Sequence, residues 1–178
     1  MSSDFVPFPP QTPQEGLAMV GFRVDANAEG PQIYTLIAYG GENDRPLLKN
    51  GRVLFFRSAK QAQRALELAD NNMKALGPAP AEIEMLCDIA EALHVVNAMD
   101  LDEDGVILDV IGCFDDLVRA AQVNVPAEYM AVLSALSEQL LQGKEFGSFL
   151  QERGIDREKA EDAIMWCVGA IVVKGTVL

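Results

Sequence analysis

The chain has 178 residues, of which 49% are apolar, enough for one compact body that buries roughly 70% of its unfolded surface. Its formal charge of −13 lacks the basic footprint that nucleic acid or an anionic membrane surface requires. The longest apolar stretch, residues 163–173, is about half the length of a membrane span of roughly 20 residues, and the N-terminus has no basic start leading into an apolar run, so neither a spanning helix nor a secretory signal is expected.

In chain order, residues 1–16 carry Pro7, Pro9, Pro10 and Pro13 with Phe5 and Phe8 between them, which predicts an extended Pro-rich arm. Strand patterns follow. Ala18, Val20, Phe22 and Val24 alternate along "LAMVGFRV", and "QIYTLIAY" reads as a second strand ending at Gly40-Gly41. Asn50-Gly51 lies between the apolar runs of "PLLKNGRVLFF", a strong hairpin signal. Together these predict an antiparallel β-meander of three to four strands.

From Ser58 the period changes. Ser58 and Gln61 have the spacing of a capping box and open an expected helix over about 59–76. "GPAP" separates it from a second, near 80–97, with Ile83, Leu86, Ile89, Ala90, Leu93 and Val96 on one side. Ile107, Val110, Ile111, Phe114, Leu117, Val118 and Ala121 then form a helical stripe. Pro126 suits the first turn of a further helix with Met130, Leu133, Leu136, Leu140 and Leu141 on its apolar face. "EFGSFLQERG" reads as a short helix, and Asp156 caps the last one, whose residues 163–173 are apolar all round and so expected to be central. The fold class is α+β: the meander first, then a helical layer or bundle of five to six helices. The organisation is an arm (1–16), a meander plus helix (17–77) and a helical subdomain (78–178).

Charge is segregated along the chain. Arg45, Lys49, Arg52, Arg57, Lys60 and Arg64 occupy a segment without acids, whereas acids recur from Glu82 to Asp116 with no Lys or Arg between Ala75 and Val118. Such segments serve as solvated faces that touch weakly, or as a docking surface for another protein or another copy of the chain. The 3 cysteines, Cys87, Cys113 and Cys167, are odd in number and far apart in apolar patterns, which predicts free buried thiols in a reducing compartment.

One stretch has metal chemistry in its spacing. In "MDLDEDGVILDVIGCF", Asp100, Asp102 and Asp104 alternate before Gly105. Over twelve positions from Asp100 this resembles an EF-hand calcium loop, with oxygens at 1, 3 and 5, glycine at 6 and an aliphatic, Ile107, at 8. The resemblance implies calcium held by Asp100, Asp102 and Asp104. The loop departs from the pattern where the bidentate Glu belongs, because position 12 is Ile111 and position 9 is Leu108. Asp109 points about 200° away from position 12 around a helix. The expectation is a turn whose carboxylates sit at a helix N-terminus, with no metal bound.

The remaining polar residues predict no catalytic machinery. The single histidine, His94, falls seven residues after Cys87 on the expected 80–97 helix, about 10 Å along its axis and too far to share a metal. Asp115 and Asp116 diverge by about 100° on a helix. Gly40-Gly41 and "GKEFGS" match no phosphate loop. Trp166 reads as core.

Neither a catalytic residue nor a cofactor is expected. The implied protein is cytoplasmic and non-enzymatic. It acts through protein contacts as a regulator, inhibitor or immunity-type partner, or as a homodimer. The alternatives are a ligand-binding or weak calcium-responsive module on the 100–105 loop, and an enzyme assembled from scattered polar residues.

Overall fold

The computed structural model describes residues 15–68, 72–98, 105–142 and 153–178. The arm up to residue 14, the three aspartates of the acidic loop and residues 145–152 of the short helix expected over 145–154 lie outside the described residues.

The expected meander forms. Strands β1 (Gly16–Arg23) and β2 (Ile33–Tyr39) pair antiparallel from Gly16↔Tyr39 to Phe22↔Ile33. The chain then makes two short strands, β3 (Arg45–Pro46) and β4 (Leu48–Lys49), and turns at Asn50-Gly51 into β5 (Arg52–Phe55). Both turn residues have positive φ, 52° and 69°, as a two-residue type I′ hairpin demands. Leu47 is the corner between β3 and β4. Its N–H donates to the Leu36 carbonyl and its carbonyl accepts from the Leu54 N–H, each at 2.8 Å. Beyond that corner β2 meets β5 directly through the reciprocal Tyr34–Phe56 pair. Thr35 is the buried polar side chain among the described residues, and its hydroxyl donates to the Leu54 carbonyl at 2.7 Å, so burying it leaves no unpaired group.

Two more strands come from the second half of the chain. β6 (Met85–Asp88) lies parallel to β1, and β7 (Gly175–Val177) lies parallel to β5. The sheets run β3-β2-β1-β6 and β4-β5-β7, and the Tyr34–Phe56 pair joins them into one continuous sheet layer. β6 replaces the front of the helix expected near 80–97. Helix α2 starts only at Ile89 and runs to Ala98, because the Asp88 carboxylate accepts the Glu91 N–H at 3.0 Å and caps it there. Ile83 and Leu86, placed on that helix's apolar side by the sequence pattern, are exposed.

The first expected helix is also shorter. A 3₁₀ turn at Ala59–Gln61 leads into α1 (Ala62–Leu68), and a second 3₁₀ turn spans Asn72–Leu76. Ser58 makes no side-chain cap, and Gln61 reaches past it to accept the Arg57 N–H at 2.7 Å. The box residues are present but shifted by one.

Helices α2, α3 (Val106–Ala120), α4 (Ala127–Gln142) and α5 (Arg157–Lys174) make the helical layer. The α3 stripe is as expected: Ile107, Val110, Phe114, Leu117 and Val118 are buried, while Ile111 is half-buried against the core. Asp156 caps α5 by accepting the Lys159 N–H at 2.9 Å. The expectation that 163–173 is central fails. Ala160, Ala163, Ile164, Cys167 and Ile171 form one buried stripe, but Met165, Val172 and Val173 are exposed on the other side.

Period-two alternation gives the sheet two apolar faces. Val20 and Phe22 of β1 face the core shared with α2–α5, while Leu17 and Met19 face a second core shared with α1. The result is three layers: α1, the sheet, then the helices.

Candidate binding surface

At one end of the helical layer the core is not filled. Phe22 of β1 and Phe55 of β5 meet edge to face, centroids 5.6 Å apart, and floor a cavity of about 110 Å³. Ile33 of β2, Ile89 of α2 and Phe114 of α3 form its inner walls, and α5 contributes Val168 and Ile171. The mouth is made by Val24, just past β1, by Val172 of α5 and by Val177 of β7. These three are 48%, 69% and 50% exposed. Every lining residue among those described is apolar, so the cavity can receive an apolar side chain, and the described residues offer no side-chain polar group to hold a polar one.

The turn from α5 into β7 forms the wall nearest the mouth. At Gly175 a Cβ would stand 2.7 Å from the Phe55 ring and 2.9 Å from the Ile171 carbonyl, so only glycine passes there without displacement. Arg52 fixes the turn. Its Nη2 donates to the carbonyls of Val173 (3.0 Å) and Gly175 (2.9 Å), and its Nε donates to Thr176 Oγ1 (3.1 Å). A cation here satisfies carbonyls that α5 leaves open at its negative end. Across the mouth, Arg23 holds the start of α2 through Asp88 (2.7 Å) and Glu91 (3.7 Å).

A second, wider groove of about 330 Å³ lies between α3, α4 and α5. Ile111, Met130 and Leu133 line it together with Asp115, Ser134 and Glu138. Ile111 thus belongs to a partly open surface, a looser position than the core role its stripe predicts.

Asp100, Asp102 and Asp104 lie outside the described residues. Gly105 adopts the left-handed φ of 70° that the turn needs, and Ile111 packs toward the core from the position where the twelfth ligand would stand. No group of three or more His, Cys, Asp or Glu side chains is arranged for a metal among the described residues. His94 is exposed on α2, while Cys87 is buried on β6, so the two do not share the helix expected near 80–97. Asp115 and Asp116 both pair with Arg119. Burial, with Asp44 and Asp115 adding to it, holds the Asp116 carboxyl above its ordinary range despite Arg119. Trp166 is half-buried and packs on Tyr129 at 5.7 Å.

All three cysteines are free and buried. The hydrogen-bonding Cys113 thiol and burial raise the Cys87 thiol well above its ordinary value, and burial pushes Cys167 up to about 11. Thiols held protonated in this way are poor nucleophiles. No ion pair joins the basic 45–64 segment to the acidic 75–118 segment among the described residues. Arg45 pairs with Glu15 instead, and Arg52 serves the C-terminal turn.

No protein-family model and no curated protein matches the chain. Among solved structures it is similar to the crystal structure of the SatS C-terminal domain in complex with bromine. The TM-score is 0.53 at 13% identity, over 93% of this chain and 94% of that one. This likeness spans both chains almost end to end and bears on the fold. No helix among the described residues is long and apolar enough to cross a membrane.

Proposed function

We propose that this protein is a non-enzymatic cytoplasmic binding protein that acts through protein contacts, as a regulator, inhibitor or immunity-type partner, with the mouth between α5, β7 and the end of β1 as its contact surface. The observation that carries this reading is the cavity, apolar in all its described lining, with three exposed valines around its opening. Exposed apolar side chains gathered at a preformed concavity are the usual mark of a docking site. The free, buried thiols favour a reducing compartment, and the charge of −13 disfavours nucleic acid as the partner.

A photo-crosslinking amino acid in place of Val172 tests this in the cells that make the protein. It should give discrete adducts with another protein. The same group in place of Glu67, exposed on α1, should give none. Equal smears from both sites, or no adduct from Val172, would refute the assignment.

A further inference from the structure

The mouth has a backbone component as well as an apolar one. β7 is the outer strand of the order β4-β5-β7. Its register sets Phe55 opposite Val177, and the Leu178 N–H donates to the Phe55 carbonyl at 2.8 Å. In a parallel ladder alternate residues bond to opposite sides. The N–H and C=O of Val177 therefore point away from β5, along the outer edge, while its side chain lines the cavity.

Strand edges are ordinarily blunted by charge or proline. β3 is Arg45–Pro46, β4 ends in Lys49, and β6 ends in the ion-paired Asp88. β7 reads Gly-Thr-Val, with neither charge nor proline of its own; Arg52 takes up the Gly175 carbonyl, which leaves the N–H and C=O of Val177 as its open outer pair among the described residues, beside the exposed valines. An open edge beside an apolar cavity is the arrangement by which sheets accept an added strand: backbone bonds supply attachment and a pocket selects alternate side chains.

We propose that the mouth takes an extended apolar segment of another protein, which adds to the outer edge of β7 and seats one aliphatic side chain in the cavity. The proposal rests on the protein-contact reading above and specifies its partner. A volume of about 110 Å³ suits a single side chain. A second copy is a poorer occupant. A two-fold β7–β7 pair would bring up Val177, whose side chain already lines its own cavity, and leave both cavities empty. The chain's own first fourteen residues are also ill-suited, because Pro7, Pro9, Pro10 and Pro13 remove N–H donors that strand pairing uses.

The probe is the peptide acetyl-Lys-Thr-Val-Thr-Val-Thr-Lys-amide, titrated into the full chain with valine methyls observed by NMR. Saturable shifts are expected at Val24, Val172 and Val177. Of two versions N-methylated on alternate residues, one should bind about tenfold more weakly, the loss of one or two backbone hydrogen bonds. Val177→Pro, which removes an N–H that β5 does not use, should weaken the parent peptide similarly. The N-methylated peptides need no altered protein, so the test survives if this variant misfolds. Shifts at the mouth that are indifferent to N-methylation would overturn strand addition and leave the apolar contact surface standing. Shifts that appear only after deletion of residues 1–14 would make the arm the occupant and overturn the partner. Loss of the peptide site in a sedimenting dimer would do the same in favour of a second copy. No shift at millimolar peptide with either chain would overturn the proposal outright.

Discussion

The two faces of one sheet are finished differently. On the side of α1, Met19, Leu36, Leu47, Leu54 and Phe56 are fully buried, and Phe56 stacks on Tyr34 at 6.0 Å. On the side of α2–α5, Phe22 and Phe55 come from the same strands but floor a cavity whose rim stands in solvent. The strands are shared, so the difference comes from what covers them. A short helix and two 3₁₀ turns seal one face, whereas α5 crosses the other at its edge and ends, at Gly175, over the Phe55 ring. An apolar strand pattern reports that a face will be covered, but not how completely.

Substitutions sharpen this contrast. The largest effect belongs to the sealed face. Phe56→Ala should cost about 3–5 kcal/mol, because the cavity it leaves is enclosed by rigid neighbours, and urea denaturation measures it. Gly175→Ala should come next, at about 1–3 kcal/mol, because its methyl meets a ring and a carbonyl that cannot both retreat. A loss near zero would mean that the α5–β7 turn is looser than drawn.

The third effect is smaller and depends on pH. The Asp116 carboxyl is raised by burial. A carboxyl raised in the folded state supports folding only while protonated. That support is complete below the unfolded value of about 3.9 and is lost as pH rises through the folded value. Asp116→Asn should therefore melt above the parent at neutral pH, with the gap closing as the solution is acidified toward that range. Removing its exposed pairing with Arg119 takes away little. A variant less stable than the parent at neutral pH would show that Arg119 outweighs burial. The smallest effect belongs to the open rim. Val172→Lys should shift stability by no more than about 0.5 kcal/mol, while abolishing crosslinks and peptide shifts at the mouth.

Much of the scaffold was legible because its signals are local. Asn50-Gly51 specified a hairpin through positive φ, the α3 stripe specified a buried face through its period, and Asp156 specified a cap. β6 was missed because Met85-Leu86-Cys87 is a short apolar run that periodicity alone cannot assign. Asp88 with Glu91 three residues on was the available sign that α2 begins later. β7 has no local signal at all: Gly-Thr-Val is a strand because β5 offers it a partner. The all-round apolar α5 was misplaced at the centre for a related reason. Hydropathy shows that Val172 and Val173 avoid water, and it does not show whether this chain or another protein covers them. The mouth itself is assembled from Val24, Val172 and Val177, which no sequence window contains together.

The central claim is that the sheet has one sealed face and one face shaped to receive an apolar side chain. Xenon tests it without a partner, since it enters apolar cavities and leaves packed cores alone. Under xenon pressure, methyl spectra should show saturable shifts at Val24, Val168, Val172 and Val177, with Leu36 and Leu54 unmoved. Equal shifts on both faces, or none at the valines, would contradict the account.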